Sequence, residues 1–458
     1  MSTDAYTLDA ADVQDPPRTL AGKLRYLGPG MLISASVVGA GELILTTTLG
    51  AQAGFVLLWM VILAATVKVW VQLELATWTI LTGRTAMEGY NRIGPRRRGV
   101  GWIIAVWVMS DIPRLLQRGA LIGGAAAAAS ILLPLWGESL SRTSLVLWTV
   151  LLTAAVVAVL VANRYALIER IATYAVFGFT VVTVFLAVIL PTTPFGYGLG
   201  DIASGLTLTM PVGLLGIAIA MFGITGIGAD EMTSYSYWCL EKGYARWTGE
   251  DDGSPERRAR AHGWISVMRL DVLVSWAVTT VCTLSFFVIG AAVLHPQDLV
   301  PQGNEVISTL SRMYTDTLGP WAELMFVGGA LVILLSTVLA VGASVPRLWS
   351  NVLGIIGLID FHDARQRARA IRILSVLVPS LWAVSYLVVQ SPVLMLQIGG
   401  TASALFLVAI VIAVWKLRYT DVPAEFRSNH VFTVALAFSS AAILALGIYI
   451  FLDTFGFL

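Results

Sequence analysis

The stretches VVGAGEL (Val37–Leu43) and GIGADEM (Gly226–Met232) interrupt two long apolar runs in the same way, with glycine, alanine and then a carboxylate. Glycine is a poor helix former and lets the backbone leave the helical region without steric cost. Inside a bilayer such an exit frees N–H and C=O groups, which is tolerable only where they face a cavity, a ligand or other protein. A chain that makes the same interruption twice, five apolar runs apart, reads as two related halves meeting at a shared site.

The rest of the chain supports a lipid-embedded reading. Of 458 residues, 57% are hydrophobic and only 12% charged, which excludes a water-soluble globule. Eleven runs are long enough to cross a bilayer as helices: 27–49, 54–80, 99–134, 142–162, 166–190, 210–240, 264–294, 319–346, 371–390, 392–415 and 431–452. Alternating strand patterns are absent, so the fold class is all-α and polytopic. Alternating the loops from the N-terminus puts 23 of the 29 Lys and Arg residues on one side, against only Arg142 and Arg312 on the other. The excess of basic residues predicts an integral cell-membrane protein with a cytoplasmic N-terminus and an extracytoplasmic C-terminus.

Residues 1–25 are polar, carry Pro16 and Pro17, and lack the basic and apolar regions of a cleaved leader; they are expected to form a disordered cytoplasmic tail. Residues 26–190 then form a first five-helix repeat, 191–418 a second of opposite topology, and 419–458 an eleventh helix outside the repeat. Cys239 and Cys282 lie apart in apolar segments and are expected to be small buried hydrophobes.

Glu42, Asp230 and Glu231 stand at the interruptions, where each second half-helix would begin. As caps they would meet free N–H groups and the positive end of a helix dipole. Three carboxylates at that depth exceed what capping needs, and intramembrane ionisable residues mark pathways, so the functional reading is an oxygen-lined cation site. Such a site suits hard ions. All four histidines fall in loops or at span ends, which excludes a histidine proton relay through the membrane. Lys68 and Glu74 in the second span do not share a helix face and are expected to snorkel or to pair with other helices.

The run LGPGMLISASVVGAGELILTTTLGAQAGFVLLW (27–59) resembles the first two helices of the Nramp divalent-metal transporters in its Gly-Pro-Gly entry, the break eleven residues later and the Gly-Ala-Gln-x-Gly turn. The eleven spans and the long third helix fit the same family. The resemblance implies a leucine-transporter-like fold, a five-plus-five inverted repeat with discontinuous helices one and six, and alternating access. Departures from the family pattern fall on its site residues. Its Asp-Pro-Gly-Asn motif corresponds here to Gly39, Ala40, Gly41 and Glu42, and its Met-Pro-His to Ile227, Gly228 and Ala229. Losing the thioether removes the expected transition-metal preference, and the smaller side chains imply a wider cavity that suits the reluctantly dehydrated Mg²⁺.

In helix three the family's Asp-Leu-Ala-Glu looks like Asp111, Ile112, Pro113 and Arg114, with Arg118 on the same face. A fixed positive charge there would replace a titratable relay; alternatively the group is a salt-bridge cluster that holds the helix. Gln397 lies near the family's coordinating Gln, or else bonds a neighbouring helix.

These readings predict a secondary transporter or facilitator of a divalent cation, Mg²⁺ before Mn²⁺, without Nramp-type proton coupling. Glu42, Asp230 and Glu231 would be the metal ligands, with Gly39, Ala40, Gly41, Ile227, Gly228, Ala229 and Gln397 around them and Asp111, Arg114 and Arg118 as a gating network. The alternatives are an organic-solute carrier of the same fold and a transport-inactive sensor or scaffold. No nucleophile–base pair or cofactor fingerprint suggests an enzyme. No cofactor is expected, the cation being substrate, and the partners are the ion or solute and the lipid bilayer, with no nucleic acid and a monomer expected.

Overall fold

A chain in lipid must close its backbone hydrogen bonds internally, and in the computed structural model this one does so almost entirely with helices. The structure describes residues 4–162, 165–427 and 429–454. Helix α1 (Pro29–Val37) passes through a π-helical segment (Val38–Thr46) into α2 (Thr47–Ala53). Then come α3 (Leu58–Thr82), α4 (Trp102–Leu132), α5 (Arg142–Val161) and α6 (Tyr165–Ile189). The sixth span is split into α7 (Leu215–Ile224) and α8 (Ala229–Lys242). It is followed by α9 (Pro255–Ile289), α10 (Ala322–Ile355), α11 (Ala364–Val389), α12 (Pro392–Thr420) and α13 (His430–Thr454). Nine membrane-length apolar spans lie among the described residues, the two halves of the sixth counted as one. The π-divided first span and the 25-residue α6 bring the number to the eleven read from the sequence.

Helix ends follow local chemistry. Ser141 accepts a hydrogen bond from Ser144 N before α5, and Ser254 accepts one from Arg257 N ahead of Pro255 at the start of α9. Asp363 does the same for α11, and Gly83 ends α3 in the left-handed region.

The 31-residue α4 is the central post, with α12, α10, α11 and α5 packed against it. Its buried Ala125–Ala129 run permits that crowding, because small side chains let helix backbones approach closely. An approach of this kind beside the site is between α7 and α12, where a Cβ on Gly400 would lie 2.5 Å from Ala220 O and one on Gly223 would run into Gly400 O. The Gly-Pro-Gly entry of the first span is anchored by Asp271 of α9. Its carboxylate accepts from Gly28 N at 2.9 Å, Gly30 N at 2.5 Å and Tyr235 Oη of α8 at 2.8 Å.

Two expectations need correction here. The first span is not unwound at Gly39–Gly41. It widens into π turns, whose carbonyls at Gly41 and Glu42 are bonded by Thr46 Oγ1 and Thr47 Oγ1, so the threonines that follow the motif close the backbone locally. The N-terminal tail is not free of the protein either; only residues 1–3 lie outside the described residues. Asp4 pairs with Arg367 at 2.5 Å, Tyr6 Oη donates to Glu241 at 2.6 Å, and Gln14 O accepts from Trp264 Nε1. Aromatic and charged partners on α8, α9 and α11 hold a segment that looked too polar to pack.

Candidate functional site

The decisive local feature is the interruption of the sixth span at residues 225–228. Gly226 takes φ +70°, in the left-handed region that favours glycine, and turns the chain between α7 and α8. The freed backbone groups are met by side chains from three other spans. Lys68 of α3, fully buried, donates through Nζ to Phe222 O at 2.7 Å and to Thr225 O. Glu42 of the π segment, also fully buried, accepts at Oε1 from Gly226 N and from Thr283 Oγ1 of α9, each at 2.9 Å. Ser403 of α12 bridges the two halves, donating to Gly223 O at 2.9 Å and accepting from Ala229 N at 3.4 Å. Thr46 Oγ1 and Thr225 Oγ1 join the two interrupted spans directly at 2.8 Å.

A second group of charges lies beside the first. Asp230, the second residue of α8, is ion-paired to Arg114 and, at 2.5 Å, to Arg118. Arg118 also bonds Asp111 at 2.5 Å, and Asp111 accepts from Trp349 Nε1 of α10 at 2.9 Å. Arg114 further donates to Ser110 O and Ser110 Oγ, and its guanidinium lies 5.4 Å from the Phe406 ring of α12. The two arginines therefore clamp α4 to α8 and, through Asp111, to α10.

Glu231 belongs to neither group. With Asp230, Ser234 and Trp238 it lines a cavity of about 10 Å³ that is closed by Leu32 and Ile33 of α1 and by Ala340, Val341 and Ser344 of α10. That is room for about one water. Lys68 lies within electrostatic reach of both Glu42 and Glu231.

The sequence-predicted site residues are thus only partly assembled. Glu42, Gly41, Ile227, Gly228 and Ala229 do meet at the break; Gly41 abuts the Ile224–Thr225 backbone, and Gly228 faces the Glu231 carboxylate. Gly39 lies against Thr337 of α10, and Ala40 falls inside the π segment. Asp230 is not available as a metal ligand beside Glu42, because two guanidinium groups hold both of its oxygens. No group of three or more His, Cys, Asp or Glu side chains suited to a metal ion exists among the described residues. Gln397 is half-buried on α12, one turn before Gly400, and Ser403 is the residue of that helix that bonds the break. Asp111, Arg114 and Arg118 are joined by ion pairs along α4, and Asp230 of α8 joins them.

Sequence reasoning missed Ser403, Thr283 and the role of Lys68. A lysine in the middle of an apolar span was the one available signal, since an ammonium at that depth needs acceptors. Glu74 likewise pairs across spans, with Arg418 of α12 at 2.5 Å.

The family model described as Natural resistance-associated macrophage protein-like, Nramp, matches residues 30–453. The chain belongs to the Nramp family. An uncharacterized protein of Pasteurella multocida is 22% identical over 320 residues, 69% of this chain and 68% of that one. The divalent metal cation transporter MntH of Mycobacterium tuberculosis is 28% identical over 141 residues, covering 30% of this Nramp chain and 32% of MntH. The likeness to MntH therefore spans only about a third of that relative. Among solved structures, variants of the Eremococcus coleocola manganese transporter superpose with a TM-score of 0.64 at 15% identity, covering 98% of this chain and 92% of theirs. MhsT in complex with L-phenylalanine superposes with a TM-score of 0.57 at 15% identity over 96% and 99% of the two chains. At these identities the superpositions show the fold, which is leucine-transporter-like. Within this Nramp fold the sixth-span interruption is an unwound segment and the first-span interruption a π segment.

Proposed function

We propose that this protein is a secondary transporter that carries a divalent cation, Mg²⁺ in preference to Mn²⁺, by alternating access around the broken sixth span. One observation carries the reading: Glu42, fully buried at the break, commits only Oε1 to hydrogen bonds and leaves Oε2 without a partner among the described residues. A buried carboxylate oxygen left open is costly unless something positive arrives at it. Around the break, Glu42 and Glu231 lie within electrostatic reach of Lys68, whereas Asp111 and Asp230 are taken up by Arg114 and Arg118.

Family membership supports a divalent substrate, and the relatives named for manganese and divalent metal point the same way. The preference for Mg²⁺ draws on the break itself, where Ile227, Gly228 and Ala229 offer oxygen and no thioether or imidazole. The absence of a proton relay draws on helix three, where Arg114 and Arg118, which keep their protons, bind the two aspartates. Glu231 would receive the ion on the side of the N-terminal tail, taken as cytoplasmic from the distribution of basic residues. The one-water cavity beside it must widen for passage, by movement of α1 or α8 away from α10.

A carrier of an organic ammonium is the second reading, favoured by the fact that the break's carbonyls already hold one ammonium, that of Lys68. Proteoliposome uptake separates the two. Saturable Mg²⁺ or Mn²⁺ flux that Glu42→Gln and Glu231→Gln each reduce at least about tenfold supports the metal reading. No divalent flux, together with an amine that raises the melting temperature, transfers the assignment to the organic solute.

A further inference from the structure

Where a helix unwinds at mid-membrane, the carbonyls it frees are the groups that seat a Na⁺ or a proton in broken-helix carriers. In this protein those seats are filled from within. Lys68 Nζ bonds Phe222 O at 2.7 Å and Thr225 O, and stands 5.3 Å from the centre of the Phe222 ring. The peptide joining Thr225 to Gly226 is gripped at both ends, its C=O by the ammonium and its N–H by Glu42 Oε1. Both charged side chains are wholly buried and come from different spans, so neither is there by virtue of local chain geometry. An ammonium and a desolvated monovalent ion carry the same charge, and the lysine's donors go where an ion would accept lone pairs.

From this geometry we propose that Lys68 is a tethered resident cation. Its ammonium occupies the place of a coupling ion, so the protein works through its cycle without Na⁺ or K⁺, and Lys68 is the residue that sets this ion independence. The idea rests on the transporter reading above, but its test does not require transport.

The full-length protein in detergent is unfolded thermally in NaCl or KCl against N-methylglucamine chloride at constant ionic strength. The wild type should show no ion-specific stabilisation. Lys68→Met strips the two carbonyls of their donor and leaves Glu42 uncompensated; it should gain saturable stabilisation by Na⁺ or K⁺, with an affinity at least about tenfold above any wild-type response. Adding Glu42→Gln to Lys68→Met should remove the gain. A monodisperse Lys68→Met protein that answers both salts as the wild type does overturns the proposal and leaves Lys68 as a strut for the break. Specific stabilisation of the wild type by either ion overturns it as well, and that arm needs no variant. Should Lys68→Met fail to fold, Lys68→Gln, shorter and neutral, is measured in the same salts with the same criteria. Absence of divalent-cation uptake, by contrast, would remove the transporter reading and leave the ion-binding result standing.

Discussion

Two interruptions written in nearly the same residues fold differently. At Gly39–Glu42 the first span keeps winding as a π-helix, whereas at residues 225–228 the sixth span comes apart, with Gly226 at φ +70°. Their carboxylates differ too. Glu42 faces inward to the backbone of the other break, while Asp230 turns to the arginines of α4. The contrast shows that a glycine-rich motif permits a break without requiring one. Threonines five residues on rebond carbonyls of the first span, and a lysine and a glutamate from elsewhere are present to receive the freed groups of the sixth.

The largest expected effect lies on the Asp230 side. Asp230→Ala leaves two buried guanidinium groups to share Asp111 alone, and breaking a buried ion pair by removing one partner costs about 3–5 kcal/mol. A fall in melting temperature large enough to suppress folded yield in detergent is the expected outcome. The matching change in the first span, Glu42→Gln, keeps an acceptor for Gly226 N and should be far milder in stability while abolishing uptake. Equal destabilisation by the two variants would erase the distinction between a structural and a functional carboxylate.

Gly226→Ala comes next. The substituted Cβ finds ordinary space, 3.4 Å from Ala65 Cα, so the strain is that of a left-handed non-glycine residue, about 1–2 kcal/mol. Thermal unfolding should show this loss. Gly41→Ala in the π segment, where φ is not positive and the nearest atom is Ile224 O at 3.2 Å, should lose less. The reverse order would mean that the π segment, and not the unwound one, is the conformationally demanding break.

Ser403→Ala removes one bond to each half of the sixth span, and Thr46→Val removes the bridge between the two spans. Each should cost about 1 kcal/mol in thermal unfolding. Ser403→Ala should also slow uptake, since the serine bonds both α7 and α8. The smallest effect on stability is expected from Glu231→Gln, whose carboxylate borders the small cavity outside both charge groups. A melting temperature close to the wild type combined with lost flux would sharpen its assignment to the ion path; a strongly destabilised protein would return it to a structural role.

Much of this was legible in the sequence because lipid leaves few options. Apolar run length and the lopsided basic residues gave the span number, and the spacing of the two Gly-Ala-carboxylate motifs placed the interruptions in spans one and six. The residues of helix three, Asp111, Arg114 and Arg118, declared a shared face through helical periodicity. What stayed hidden were partners that converge from distant parts of the chain. Nothing near Asp230 in sequence announces that its acceptors serve arginines over a hundred residues earlier, and the three expected carboxylates stand in separate surroundings for that reason. Tyr6, in a tail read as disordered, finds Glu241 at the end of α8 in the same unannounced way.

The chain's composition and periodicity by themselves determined that it is a helical membrane protein in two related halves, because backbone hydrogen bonding in lipid admits no other arrangement of such apolar lengths. Only the tertiary structure decided which of the two motifs unwinds and which charge answers which. Those choices depend on side chains such as Lys68, Thr283 and Ser403, brought to the break by helices far away in the chain, and on the cost of leaving any buried polar group unpaired.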